Sequence, residues 1–183
     1  MGEPSAFTRE KLVVGVLLSR PEWRPGLTRR LTDRFGPIDF DSGPLEFTYT
    51  HYYDAEMGTP ITRLFFAFAR LLDPSLLSEI KQATNGMETE LIENGGRKAN
   101  LDPGFMSLSR LVLASTKEGS HRIPLRLGIY GEVTLLFERG RFRPLPWTYP
   151  DFRSEEYARI LGRIRSVYKA QLDREAQVTG HRR

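Results

Sequence analysis

The 183-residue chain contains no cysteine, which excludes disulfide staples, thiol nucleophiles and thiolate-bound zinc or iron–sulfur clusters. No apolar run approaches the roughly 18 residues that cross a bilayer, so no membrane partner is expected. Nucleoside-triphosphate chemistry lacks its loop: Gly95-Gly96-Arg97-Lys98 has neither the earlier glycine nor the hydroxyl residue that would hold magnesium. A dinucleotide fingerprint and a helical HExxH zinc motif are also missing. The paired H-x-Ser/Thr motifs of two-histidine phosphoesterases fail as well, because His51 precedes Tyr52-Tyr53 and His121 precedes Arg122-Ile123. Lysine is scarce, with 5 lysines against 22 arginines.

What is present is an ordinary globular composition, 39% hydrophobic and 27% charged, with a net charge of +4. That composition predicts one domain over residues 11–176, preceded by an arm at 1–10 and followed by a flexible basic tail at 177–183. From Arg153 onward eight basic residues face four acidic ones, so the whole formal excess lies at the C-terminal end. Guanidinium forks pair with phosphate, and the arginine bias reads either as phosphate or nucleic-acid recognition or as an arginine-rich surface. The stretch MGEPSAFTREK lacks the basic start and apolar core of a secretory signal, and a cytoplasmic location is expected.

The apolar run Lys11–Ser19 predicts a central strand. Trp23, Leu27, Leu31 and Phe35 recur every four residues and predict a helix stopped by Gly36-Pro37. Strands are expected over Ile38–Thr50 and Ile61–Leu71, then a helix capped by Asp73, opened by Pro74 and stopped near Asn85-Gly86. Asn94-Gly95-Gly96 signals a hairpin between Met87–Ile92 and Arg97–Leu101, unless Met87–Glu93 prolongs the helix. Asp102-Pro103-Gly104 reads as a turn. Ser107–Thr116 is open between a helix and a strand at Arg110–Ala114. Ile123–Leu127, Tyr130–Glu138 and Arg141–Trp147 predict strands, the last two joined at Arg139-Gly140, and Ser154–Ala176 a closing helix. The fold class is therefore α+β: a ferredoxin-like (βαββαβ) antiparallel core with an extra C-terminal β-hairpin and a closing helix.

Polar residues gather beside predicted strand ends in four places. Thr50–Gly58 crowds His51, Tyr52, Tyr53, Asp54 and Glu56 together, either for proton or metal work or as a tyrosine cover for the core. Asn100–Phe105 is a turn or a ligand-gripping segment. Lys117, His121 and Arg122 on one loop, leading into Tyr130 and Glu132, form a plausible anion socket. Trp147 and Tyr149, pinned between Pro146 and Pro150, would stack a ring or lid the core.

Taken in this order the clusters resemble the domain of unknown function 4416 family of prokaryotic proteins, over about Lys11 to Leu172. The resemblance rests on Tyr52-Tyr53 with Glu56 and Gly58, Leu72-Asp73-Pro74, Thr84-Asn85, Asn100–Gly104, Lys117, His121–Ile123, Gly128–Tyr130 with Glu132–Thr134, and Trp147–Asp151. The family pattern carries tyrosine where Phe105 and Pro124 stand. The resemblance implies no established reaction.

Function is expected to rest on a polar site for a small anionic ligand. In it His121, Glu56 and Asp102 would be catalytic if the protein is an enzyme, with Glu56 or Asp102 orienting His121 or holding a divalent metal. Tyr52, Tyr53, Asn100, Lys117, Arg122, Tyr130 and Glu132 would bind the ligand. No cofactor is indicated. The alternative is an RNA- or protein-binding module that uses the arginine-rich C-terminal helix.

Overall fold

The computed structural model describes residues 2–180. In chain order they form β1 (Glu10–Leu18), α1 (Arg24–Phe35), β2 (Ile38–Asp41), β3 (Leu45–Glu46), α2 (Asp54–Met57), β4 (Thr62–Leu72) and α3 (Leu77–Thr89). Then follow β5 (Ile92–Glu93), β6 (Gly96–Arg97), β7 (Ala99–Met106), β8 (Arg110–Ser115), β9 (Arg122–Pro124), β10 (Tyr130–Glu138), β11 (Arg141–Pro144) and α4 (Glu155–Gly180).

Nine strands make one antiparallel sheet in the order β11-β10-β8-β7-β1-β4-β2, with β3 added to β4 and β9 to β10. The expected mixed α+β class, the hairpin turning at Arg139-Gly140 and the closing helix are all found. β1 lies mid-sheet and is buried along its whole length, as its unbroken valine and leucine run requires. Its even-numbered side chains Leu12, Val14 and Val16 join Leu64, Phe66 and Phe68 of β4 under α1 and α3. On the opposite face Val13, Phe65, Ala67, Leu111 and Leu135 pack against Tyr157, Ile160, Leu161 and Ile164 of α4. The sheet is thus sandwiched, and the apolar stripe of α4 is used on its own domain. Each such aliphatic side chain contributes about 1.5–3 kcal/mol by leaving water.

Several elements depart from the sequence reading, each for a local reason. α3 runs through Asn85-Gly86 to Thr89, because its last turn is held from outside by bonds to the buried Glu88. The hairpin is correspondingly reduced to β5 and β6 around Asn94-Gly95, both at positive φ. The expected strand Ile38–Thr50 breaks at Ser42-Gly43-Pro44 into β2 and β3, and the short α2 follows. Of the two readings left open for Ser107–Thr116, the strand is the one found, as β8: Ser107 Oγ accepts from the N–H groups of Ser109 and Arg110 and closes the turn before it. The strand expected at Ile123–Leu127 is β9, set one residue earlier and ended by Pro124, while Leu127 turns at φ 60. β11 stops at Pro144 rather than Trp147. α4 continues past Ala176 to Gly180, so part of the tail expected from 177 is helical, and residues 181–183 lie outside the described residues.

Candidate functional site

Asp102-Pro103-Gly104 is no turn but part of β7, and it is where the sheet splits. β7 pairs with β8 only at Gly104↔Leu113, Phe105↔Val112 and Met106↔Leu111. A Cβ on Gly104 would sit 2.4 Å from the Val112 carbonyl oxygen, so the two strands close here only over glycine. The next residue, Pro103, has no N–H to offer a neighbouring strand. Beyond it β7 and β8 part, and α3 supplies what β8 no longer does. Leu101 N–H donates to Glu88 Oε1 at 2.7 Å, and Leu101 C=O accepts from Lys81 Nζ at 2.7 Å. Buried backbone groups need partners, and two charged side chains of one helix provide them.

The split opens a cleft of about 630 Å³, a size that suits a small molecule. Tyr49, Thr50, Tyr52 and Tyr53 wall one side, Ser115–Lys117 another, and Tyr149–Phe152 a third. Five cationic side chains (Arg63, Lys81, Arg97, Lys117 and Arg122) and four carboxylates (Glu88, Asp102, Glu132 and Asp151) line it.

Arg63 forms the floor. It is 3% exposed and lies among the rings of Phe47, Phe65, Phe152 and Tyr157 at 5.3–5.8 Å. Gly15 of β1 makes room for it: a Cβ there would lie 3.0 Å from Arg63 Nη1. Arg63 Nη2 donates to Asp151 Oδ2 at 2.7 Å, and Nη1 stands 3.7 Å from Asp102 Oδ2. Nε and Nη1 make no well-aligned hydrogen bond among the described residues, and the Tyr157 hydroxyl lies close enough to stabilise the guanidinium charge. Burial works against the guanidinium charge, but the neighbouring Tyr157, Asp151 and Asp102 outweigh it and hold Arg63 above its ordinary value. Asp102 Oδ2 accepts from Asn100 Nδ2 at 2.8 Å, and its Oδ1 is 4.0 Å from Lys81 Nζ. Burial, reinforced by Asp102, pushes the Tyr53 phenol up to about 12, so at neutral pH Tyr53 is a hydrogen-bond donor.

The rim is a second network. Lys117 Nζ donates to Tyr52 Oη at 3.1 Å and makes no ion pair among the described residues. Arg122 is fully engaged: Nε donates to Glu132 Oε2 at 2.8 Å, Nη1 to Lys117 C=O at 2.9 Å and Nη2 to Tyr149 Oη at 2.8 Å. His121 Nε2 lies 3.0 Å from the same Glu132 oxygen, and its ring stacks on Trp147 at 5.3 Å. Trp147 Nε1 in turn donates to Val133 C=O at 2.9 Å. Among the described residues no group of three histidine or carboxylate side chains is placed to hold a metal.

The structure therefore brings Tyr52, Tyr53, Asn100, Asp102, Lys117, Arg122 and Glu132 into one cleft from four separate stretches. His121, Glu56 and Tyr130 stand outside its lining. His121 backs Glu132, Glu56 pairs with Arg97 at 2.7 Å, and Tyr130 sits in the β10 ladder opposite Ser115 and Pro124. No contact joins His121, Glu56 and Asp102 into one constellation. Arg63, Lys81 and Glu88 were not singled out by the sequence reading, and Asp151 entered it only as part of the Trp147–Asp151 stretch. Two signals mark them: Arg63 is the lone charge at the start of the apolar run ITRLFFAFA, and Lys81 and Glu88 are seven residues apart on one helical face.

The buried carboxyls give a pH signature. Burial pushes Glu88 up, against Lys81, the Leu101 N–H and Arg97, and pushes Asp151 up, against Arg63. A carboxyl raised in the folded state binds its proton more readily there than in the unfolded chain. Its contribution to stability is thus fully present below the unfolded value and is lost as pH rises through the folded value. For Glu88 the window opens at the ordinary value of 4.5 and extends upward. The advantage of the native protein over Glu88→Gln is expected to grow as pH falls from 7 toward that value, read as the difference in urea midpoints. A difference that shrinks on acidification would contradict the direction.

The family model described as a domain of unknown function (DUF4416) matches residues 8–168, a span that includes every cleft residue named above. No curated protein and no solved structure matches the chain.

Proposed function

The chain belongs to the DUF4416 family, and we propose that the split between β7 and β8 is a binding site for a small ligand bearing an anionic group. One observation carries the reading: the guanidinium of Arg63 is buried at the cleft floor, with Nε and Nη1 making no well-aligned hydrogen bond among the described residues. A buried donor without an acceptor costs about 1–3 kcal/mol, and a ligand oxygen would remove that cost. Lys117 at the rim supplies a second positive charge, one that makes no ion pair among the described residues. Arg122, held at all three nitrogens, positions Lys117 and Tyr149 rather than meeting the ligand itself. The order β7-β1-β4-β2, with α1 and α3 on one face, supports reading these strands as a ferredoxin-like core to which β8, β10 and β11 are added. We further propose that the protein is prokaryotic and cytoplasmic; among the described residues no helix is long and apolar enough to cross a membrane, which is compatible with that reading.

The test is a thermal-shift screen against phosphorylated metabolites and organic acids. A ligand at 100 times its Kd adds about 2.7 kcal/mol, several degrees for a chain of this size. Lys117→Ala is expected to weaken binding of any hit about tenfold while changing stability by less than about 0.5 kcal/mol, since its site is exposed. Gly15→Ala crowds Arg63 Nη1 without removing charge and is expected to weaken the same hit, with stability changed by less than about 1.5 kcal/mol. Affinity for single-stranded RNA that falls steeply with salt, together with silence in the screen, would favour the nucleic-acid alternative instead.

A further inference from the structure

The cleft floor is not uniformly basic, and that narrows the ligand. Arg63 Nη1, Asp102 and Lys81 Nζ stand in a row, the carboxylate between the two cations at 3.7 Å and 4.0 Å. Both separations are those of an ion pair without a direct hydrogen bond, so neither cation ties up the Asp102 carboxylate through a proton. Asp102 Oδ2 is bonded to Asn100, whereas Oδ1 accepts no hydrogen bond among the described residues. Asp102 is also the most exposed of the three, at 28%. The floor thus presents a guanidinium, Arg63, beside a partly exposed carboxylate, Asp102, whose Oδ1 accepts from no protein donor among the described residues. With charges of both signs lining the cleft, a ligand of both signs can meet Arg63 with its anionic group and Asp102 with its cationic one.

Resting on the anion-site reading above, we propose that the ligand is a small zwitterion of the amino-acid type. Its carboxylate is held by Arg63 and its primary ammonium by Asp102. Tyr53 and the ring of Phe152, both in the cleft lining, flank the remainder of the molecule.

The probes are the twenty proteinogenic L-amino acids, each compared with its N-acetyl derivative, which keeps the carboxylate and loses the ammonium. Inorganic phosphate and acetate serve as bare anions, and binding is read by thermal shift and then calorimetry. At least one amino acid is expected to bind with its N-acetyl derivative at least tenfold weaker. Asp102→Asn is expected to weaken the amino acid tenfold or more and to leave the N-acetyl derivative within twofold. If an N-acetyl derivative or a bare anion binds as tightly as the parent amino acid, the zwitterion proposal fails and the anion site survives. If no probe binds, and the wider screen of phosphorylated metabolites and organic acids is silent too, both fail. Asp102→Glu separates charge from fold: it keeps the carboxylate, and it is expected to retain the preference for the free amine even where affinity drops.

Discussion

Arg63→Met is expected to destabilise the protein by about 3–5 kcal/mol, lowering its melting temperature by about 10 °C, and to abolish ligand binding. Methionine fills the space among Phe47, Phe65, Phe152 and Tyr157 as well as the arginine stem does, so the loss comes from charge rather than from packing. The carboxylate left behind is Asp151, itself 8% exposed and bonded at 2.7 Å to the guanidinium that has gone. Adding Asp151→Asn removes the stranded charge, and the double variant is expected to recover a large share of the stability but none of the binding. A single variant within about 1 kcal/mol of the native protein would mean that the Arg63–Asp151 pair is not holding the floor together.

Glu88→Ala is expected to cost about 3 kcal/mol or more, measured by chemical denaturation. One carboxylate serves three partners: the Leu101 N–H at 2.7 Å, Arg97 Nη1 at 2.8 Å and Lys81 Nζ at 3.9 Å. Alanine strands a buried backbone donor in the gap where β8 has left β7, together with a buried ammonium. Glu88→Gln keeps an acceptor for Leu101 and is expected to recover part of the loss. If alanine proves as stable as glutamine, water reaches Leu101 and the split is wider than the bonds indicate.

The two variants also show why some of this site was legible in the sequence and some was not. Periodicity located β1, α1, β4, α3, β10 and α4, because alternation or a repeat of three to four residues follows directly from which side of an element is buried. Tyr52, Asn100, Asp102, Lys117, Arg122 and Glu132 were legible because polar residues next to strand ends have few structural duties. Asp102-Pro103-Gly104 was misleading for a physical reason. Local propensity favours a turn there, but β1 completes the hydrogen bonds on one edge of β7, and Pro103 and Gly104 mark the end of pairing on the other. Arg63 and Glu88 escaped because each sits in a well-formed apolar element where a charge reads as an exposed position. Their inward direction depends on which neighbours the topology brings opposite, Gly15 in one case and Leu101 in the other. His121 carries the opposite lesson: a histidine on a glycine-containing loop has the chemistry of a proton carrier, yet here it stacks on Trp147 and backs Glu132 behind the cleft wall.

The most direct test of the anion site is calorimetric titration of the native protein, Lys117→Ala and Gly15→Ala with the strongest anionic hit from the thermal-shift screen. The account predicts saturable binding at one site per chain in the native protein and an affinity at least tenfold lower in each variant, with both variants as well folded as the parent. Equal affinity in all three proteins would contradict it, because the ligand would then be bound without the cleft floor and its rim.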